Sequence, residues 1–234
     1  MAGKASMKPV AIFIRHGDYH QLPDTPSAHQ PFALNSDGQQ QAAACIALLR
    51  DMLKKNNWQL YPVIHSSNLL RGWQTASLIA EGFEQVEKVE GFDALAERGL
   101  GSAANLSVSQ IEKILDDDPR FETPPSDWKS NSHYCLPLQG AESLMMAGER
   151  IAAHVRQSID GIDNESDNTL ALLFVGHGAA FRHAAHKLGV LEFEQIKKLS
   201  MYHAKPVALQ KQPDGCYQHI AGEWKVRDSQ EKLD

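Results

Sequence analysis

The sequence lacks several features that would place it in common protein classes. It has only three cysteines, which are odd in number, lie far apart and form no Cys-x-x-Cys pair: Cys45, Cys135 and Cys216. A disulfide framework is therefore not expected, and we predict reduced thiols in a cytoplasmic protein. No GxxxxGK[ST] or GxGxxG loop is present. Their absence argues against the nucleotide-binding folds that use those loops.

Long apolar runs and a strong charge bias are also missing. The stretch MAGKASMKPV has no apolar segment of signal-peptide length, and no run reaches membrane-spanning length. The net charge is −6 and the isoelectric point is about 6.0, so neither nucleic acid nor a membrane is expected as a partner. With 42% hydrophobic residues among 234, the chain can bury a sizeable core without disulfides or metals.

The sequence does contain an alternation of apolar, β-rich runs with helical patterns. Strands are expected near residues 10–14, 61–67, 85–91 and 169–178, and helices near 36–55, 69–80, 143–159 and 179–188. Ser36 or Asp37 is the expected N-cap of the first helix. PVALQK and CYQHIAG flank a Pro-Asp-Gly turn and predict a hairpin. This order predicts an α/β fold: a doubly wound, mostly parallel sheet with helices on both faces and antiparallel strands at one end.

Residues 101–140 fit this alternation badly. The segment is rich in proline and contains the polar run PPSDWKSNSH. We interpret it as a lid-like insertion within a single domain that spans residues 1–234, and not as a second domain.

Functional side chains follow the predicted strands where those strands end. They are Arg15 and His16 after the first strand, Arg71 in the helix after the second, Glu97 after the third, and His177 between two glycines after the longest. Ligands of open α/β sheets bind beyond the carboxyl ends of the strands. Two arginines, two histidines and one carboxylate are therefore expected to converge at a binding site.

Metal binding is not expected from this set. The strand ends carry no cluster of several acidic residues, as a magnesium site would need. His183 and His186 lie three residues apart on one predicted helix, but no HExxH or similar spacing accompanies them. We interpret both as surface histidines. His20, in the loop after the first strand, is a candidate for contact with a substrate.

Six segments, in the same order, resemble the histidine phosphatase superfamily, which includes cofactor-dependent phosphoglycerate mutase. FIRHGD resembles the strand and RHG signature, LNSDGQQQA the following helix start, and IHSSNLLRGWQTA the segment of the second arginine. LAERGLG resembles the segment of the catalytic acid, AESLMMAGERI a family helix, and LFVGHGAAFR the segment of the second histidine.

The resemblance implies phosphoryl transfer without a metal or another cofactor. His16 would be the nucleophile and would form a phosphohistidine. Arg15, Arg71 and His177 would bind the phosphoryl oxygens. Glu97 would protonate the leaving oxygen and then help to activate water.

The sequence differs from the mutase pattern at positions that are expected to surround the substrate. Asp18 and Tyr19 follow the RHG triplet where mutases usually have a small hydroxyl residue, and Leu100 stands where they tend to have tyrosine. A phosphomonoester phosphatase is therefore expected, with a phosphoglycerate mutase as the alternative and a non-catalytic phosphate-binding scaffold as a second alternative. RHGDYH with HSSNLLR also resembles a protein serine/threonine phosphatase branch. The expected ligand is thus a phosphorylated small molecule or a phosphopeptide.

Overall fold

The computed structural model describes residues 9–162 and 168–227. Its strands are β1 (Val10–Arg15), β2 (Trp58–Leu60), β3 (Val63–Ser67), β4 (Lys88–Phe92), β5 (Thr169–Gly176), β6 (Leu199–Ser200), β7 (Pro206–Lys211), β8 (Tyr217–Gly222) and β9 (Lys225–Val226). Its helices are α1 (Ser36–Asn56), α2 (Leu70–Ala80), α3 (Val108–Asp117), α4 (Leu144–Asp160), α5 (Gly178–Lys187) and α6 (Phe193–Lys198).

The main sheet has the order β4-β3-β5-β1-β7-β8. The short strand β2 pairs with the first residues of β5, and β3 pairs with later residues of the same strand. Strands β1 to β5 pair in parallel, whereas β7 is antiparallel to β1 and β8 is antiparallel to β7. Strands β6 and β9 form a separate antiparallel pair. The predicted α/β class, with its mostly parallel sheet and antiparallel strands at one end, is confirmed.

Strand β1 shows why its sequence is a continuous apolar run. Ala11 and Phe13 face a cluster that contains residues of α4 and α5, whereas Val10, Ile12 and Ile14 face a cluster with residues of α1 and α2. Successive side chains of a strand point to opposite faces, so a strand covered on both faces must be apolar at every position. The sheet is therefore buried between two helical layers, and polar groups are confined to its edges and strand ends.

Helix α1 starts at Ser36, as the sequence predicts, but its N-cap lies before both of the predicted cap residues. Asn35, and not Ser36 or Asp37, is the N-cap: its side chain accepts a hydrogen bond of 2.8 Å from the backbone N–H of Gly38. The amide of Asn35 also donates to the carboxylate of Asp18 at 2.7 Å. This second bond joins residues that are 17 positions apart. It is a tertiary contact that favours Asn35 as the N-cap, and local propensity alone does not show it.

Residues 101–140 contain more regular structure than the sequence suggested. Helix α3 starts with a capping box formed by Ser107 and Gln110. It packs in a third hydrophobic cluster around Trp128, whose indole N–H donates to Glu112 at 3.0 Å. Ala28, from the loop after β1, belongs to the same cluster. The insertion and that loop therefore pack together; whether the segment opens as a lid remains a prediction.

A pair of histidines connects β3 to α4. His65 Nδ1 lies 3.1 Å from His154 Nε2, and both rings pack against Phe92 and Phe174. Burial, and then the neighbouring His154, lower the pKa of His65 to about 4. Burial also lowers the pKa of His154. The pair is therefore neutral at neutral pH.

Acidification should destabilise the fold in part through this pair. The unfolded chain takes up a proton at His65 near its ordinary pKa of about 6.5, while the folded protein resists protonation to about pH 4, so stability falls as the pH drops between these values. We expect His65→Gln to reduce the stability difference between pH 7 and pH 4.5 by about 1–2 kcal/mol, after allowance for solvent screening.

Urea unfolding of both proteins at the two pH values measures this difference. His133→Gln, at an exposed histidine, is the matched control and should behave like the wild type. An unchanged pH dependence in His65→Gln would contradict the assignment.

Candidate active site

The carboxyl ends of β1, β3 and β5 bring the predicted side chains together. His16 directly follows β1, and His177 is the N-cap residue between β5 and α5. Arg71 lies in the first turn of α2. The exposed fractions are 3% for His16, 0% for Arg71, 0% for His177 and 6% for Glu97. The site is therefore a buried cluster of one guanidinium, two imidazoles and one carboxylate at the edge where ligands of such sheets bind.

His16 is held in one tautomer. Its Nδ1 lies 2.7 Å from the carbonyl oxygen of Gly17, so Nδ1 carries the proton and Nε2 has a lone pair. Arg71 Nε donates to that Nε2 at 3.3 Å. Burial, and then the charge of Arg71, hold the pKa of His16 well below its usual value, although the bond to Gly17 acts in the opposite direction. The ring is thus a neutral base with its lone pair turned towards a cation.

Gly17 is required by a close approach of two backbones. A Cβ at this position would lie 2.4 Å from the carbonyl oxygen of Gly38 in α1. The backbone N–H of Gly17 donates to Thr75 Oγ1 at 3.0 Å, which joins the segment to α2. The glycine of the RHG triplet therefore allows α1 and α2 to fix the position of His16 from two sides.

Arg71 is bound to the loop that follows β1. Its Nη1 donates to the carbonyl of Gln30 at 2.9 Å, and its Nη2 donates at 2.8 Å to the carbonyls of both Ser27 and Ala28. Its guanidinium also lies over the ring of Tyr19, 4.6 Å from the centroid. We call residues 27–30 the clasp. In this structure the clasp occupies the forked donors that an oxyanion would use.

His177 stands beside His16, with 5.1 Å between the ring centroids. Its Nε2 lies 2.9 Å from Ser67 Oγ at the end of β3. Its Nδ1 is buried and has no hydrogen-bond partner among residues 9–162 and 168–227. Burial, followed by the charges of Arg71 and Arg15, holds the pKa of His177 well below its usual value. A neutral ring with one unsatisfied nitrogen can therefore bind a ligand atom.

Glu97 lies next to a small cavity. One carboxylate oxygen accepts a 2.9 Å hydrogen bond from the backbone N–H of Arg98. The cavity has a volume of about 20 Å³, and its lining includes Ser27, Glu97, Arg98 and Lys129. Because Ser27 also belongs to the clasp, the cavity and Arg71 share one stretch of backbone. Glu97 therefore lines a cavity that reaches the backbone to which Arg71 donates.

The sequence matches the model of the histidine phosphatase superfamily, branch 1, over residues 11–220. The chain belongs to this superfamily. A search of curated proteins finds no match. A mycobacterial glucosyl-3-phosphoglycerate phosphatase has a similar structure, with a TM-score of 0.64 and 19% identity over 93% of this chain and 97% of that chain. Alpha-ribazole phosphatase from Shigella flexneri gives a TM-score of 0.65 at 17% identity, over 94% and 96% of the two chains.

The family expected from the six motifs is therefore confirmed, and the histidine phosphatase fold is shared with neighbours that are phosphatases by name. Among the residues that the structure describes, no group of three or more histidine, cysteine, aspartate or glutamate side chains could hold a metal ion. Within the same ranges, no helix is long and apolar enough to cross a bilayer.

Sequence reasoning missed one side chain of this histidine phosphatase site, His203, and did not predict the packing of another, Tyr19. Tyr19 packs edge-on against His16, with 5.3 Å between ring centroids. His203 donates from Nδ1 to the carbonyl of His16 at 2.7 Å. A topological signal for His203 was available, because β7 is antiparallel to β1 and so starts where β1 ends. The segment just before β7 must therefore lie beside His16.

The structure can be compared with the sequence interpretation of three further histidines. His20 is exposed, and its contact with a substrate stays a prediction. His183 was expected at the surface, which is wrong: it is 2% exposed and is bonded to Ser132 Oγ at 3.0 Å and to the carbonyl of Ala179 at 2.8 Å. Gly148 allows this burial, since a Cβ there would lie 2.5 Å from Cβ of His183 and hold α4 away from α5. His186 is half-buried.

Proposed function

We propose that this protein hydrolyses phosphomonoesters through a phosphohistidine intermediate on His16. The observation that carries the proposal is the fixed tautomer of His16, which leaves a neutral Nε2 beside the Arg71 guanidinium. Attack on phosphorus requires such an unprotonated nitrogen, and the transferring group requires cations around it. Membership of the histidine phosphatase superfamily supports the same chemistry.

In the first half-reaction, the Nε2 lone pair attacks phosphorus and the bond from phosphorus to the ester oxygen breaks. Glu97 donates its proton to that oxygen as the alcohol leaves. Arg15 and Arg71 bind the phosphoryl oxygens, and the unsatisfied Nδ1 of His177, as an N–H donor, stabilises the charge that develops on them. The products of this step are the alcohol and phosphohistidine.

In the second half-reaction, a water molecule attacks the phosphohistidine. Glu97, now ionised, removes a proton from the water as the bond between phosphorus and Nε2 breaks. Inorganic phosphate leaves, and His16 and Glu97 return to their starting protonation states. Neither half-reaction needs a metal or another cofactor, and Arg71 must exchange clasp carbonyls for phosphoryl oxygens to take part.

A phosphoglycerate mutase is the closest alternative within the family. A mutase must keep its phosphohistidine from water and hold the carboxylate of its substrate. At the position where mutases tend to have tyrosine, Leu100 is buried in the third hydrophobic cluster, so that position serves packing here. A non-catalytic scaffold is disfavoured because His16, Arg15, Arg71, Glu97 and His177 are all retained.

We expect phosphate release to exceed phosphoryl transfer between alcohols. The test runs 3-phosphoglycerate interconversion, primed with 2,3-bisphosphoglycerate, beside phosphate release from p-nitrophenyl phosphate and several alkyl monoesters. Faster formation of 2-phosphoglycerate than of free phosphate from any ester would establish the mutase instead. No turnover in either assay would support the non-catalytic phosphate-binding scaffold.

A further inference from the structure

Two buried tyrosines carry a hydroxyl group without a hydrogen-bond partner. The side chains of Tyr19 and Tyr217 are 6% and 2% exposed, and neither phenolic oxygen has a partner among residues 9–162 and 168–227. A buried phenol usually has a partner, because an unpaired polar group loses its bonds to water and gains none in exchange. Tyr217 lies in a hydrophobic cluster, whereas Tyr19 lies at the active site beside His16. The same unsatisfied group therefore occurs once in the core and once at the site.

The backbone of Tyr19 is fixed beside the start of α1. Tyr19 forms an isolated antiparallel bridge with Leu34. Next to this bridge, the backbone N–H of Asn35 donates to the carbonyl of Asp18 at 3.2 Å. The backbone N–H of Leu34 donates at 2.8 Å to the side chain of Gln74, in α2. Contacts to two helices thus hold Tyr19 in place, as a preorganised group of a catalytic site requires.

The ring of Tyr19 contacts both the nucleophile and the arginine. The rings of Tyr19 and His16 are nearly perpendicular, with centroids 5.3 Å apart, and the guanidinium of Arg71 lies 4.6 Å from the centroid of Tyr19. Arg71 Nε lies 3.3 Å from His16 Nε2. A phosphoryl group bonded to that Nε2 would therefore have both Arg71 and Tyr19 as neighbours.

The hydroxyl of Tyr19 is a hydrogen-bond donor at neutral pH. Burial raises the pKa of the phenol, although the charge of Arg71 acts in the opposite direction, and the charge of Glu97 raises it further. The phenol therefore keeps its proton. The hydroxyl of Ser27 is near enough to lower the pKa of the phenol, but the two hydroxyls form no hydrogen bond. The proton of Tyr19 is thus available to a ligand.

We propose that Tyr19 is a further catalytic residue, whose hydroxyl donates a hydrogen bond to an oxygen of the phosphoryl group that His16 attacks. This inference rests on the proposed function and adds a neutral donor to Arg15, Arg71 and His177. The hydroxyl gains its partner when a phosphoryl group is bound, and the bond strengthens as negative charge develops on the oxygens. The cost of an unsatisfied hydroxyl to folding is then offset in the reaction.

Tyr19→Phe tests the proposal, because it removes the hydroxyl and keeps the ring. We expect kcat/KM to fall by about 10- to 100-fold. The loss should be equal, within about threefold, for p-nitrophenyl phosphate and for alkyl monoesters, since all of them present the same phosphoryl oxygens. Tyr217→Phe is the matched control: it removes the other unsatisfied hydroxyl and should retain wild-type turnover. Both variants should unfold at the same temperature as the wild type or at a higher one.

Four results would overturn the proposal. The first two are wild-type kcat/KM in Tyr19→Phe and an equal loss of kcat/KM in Tyr217→Phe. A lower unfolding midpoint of Tyr19→Phe would mean that the hydroxyl serves a protein group, such as Ser27. Slowing of alkyl esters alone would place the hydroxyl on the leaving oxygen and not on the phosphoryl group.

Binding of inorganic phosphate separates this inference from the proposed function. Isothermal titration calorimetry of the wild type and both variants needs no turnover. We expect the dissociation constant for phosphate to rise by about 3- to 10-fold in Tyr19→Phe and to stay unchanged in Tyr217→Phe. If the wild type hydrolyses no ester, the proposed function fails, and this titration alone decides whether Tyr19 contacts the phosphoryl group. Equal constants, or no binding to any of the three proteins, would refute that contact.

Discussion

His16→Ala should lower the rate of phosphate release from every ester by at least about 10⁴-fold, because the proposed mechanism takes its attacking nitrogen from this side chain. The neighbouring His177 cannot replace it in the proposed mechanism, since its Nε2 is engaged with Ser67 and its Nδ1 carries the proton that it donates to the phosphoryl group. The buried, cation-flanked His16 has a lowered pKa and stays neutral in mild acid, so the wild type should keep its nucleophile well below pH 6.5.

The intermediate gives a second measurement on the same variant. Wild-type protein quenched during turnover of a ³²P-labelled ester should carry a phosphate that is stable in base and labile in acid, and His16→Ala should carry none. His133→Ala, at an exposed histidine, should retain both turnover and label. Label in the His16 variant, or its normal activity, would move the nucleophile to another residue.

Glu97→Gln should slow alkyl esters by about 10²- to 10⁴-fold and p-nitrophenyl phosphate far less. An alkoxide needs its proton in the transition state, whereas nitrophenolate leaves without one. Gln keeps the size of the side chain and can still accept the hydrogen bond from the Arg98 backbone N–H, so the local structure should persist. The measurement is kcat/KM for a series of esters plotted against the pKa of the leaving alcohol, which should be steeper for the variant.

Parallel plots for the wild type and Glu97→Gln would assign the proton transfer to another acid. The sequence segments offer Asp18 and Glu142 as other candidates. In the structure, Asp18 accepts from Asn35 at 2.7 Å, and Glu142 is held by Arg150 at 2.7 Å and 2.9 Å. Both carboxylates are thus committed to structural contacts, which favours Glu97.

The sheet and the position of the site were predictable because they follow from local patterns and one general rule. The apolar run of β1 needed cover on both faces, and the carboxyl ends of parallel strands had to share one edge. That rule predicted that His16, Arg71 and His177 lie close together, but it gave no distances between their atoms. It could not predict strand β2, because three residues of ordinary composition show no period, and their pairing with β5 is a tertiary event.

Contacts between elements that lie far apart in the sequence could not be predicted from it. The surface prediction for His183 failed because the close packing of α4 and α5 depends on Gly148, 35 positions earlier. The role of Tyr19 in packing on His16 and Arg71 depends on the path of the loop after β1, which has no periodic pattern. Such contacts are decided by packing between elements, and not by the propensity of either element.

The clasp has a consequence for how tightly this protein can hold phosphate. If Arg71 binds phosphoryl oxygens as proposed, it cannot also satisfy the carbonyls of Ser27, Ala28 and Gln30, so loop and ligand exclude one another. The apparent dissociation constant then equals the intrinsic constant divided by the fraction of molecules whose clasp is released. The same competition acts on the product: each time the clasp closes again it expels phosphate, which favours turnover over retention.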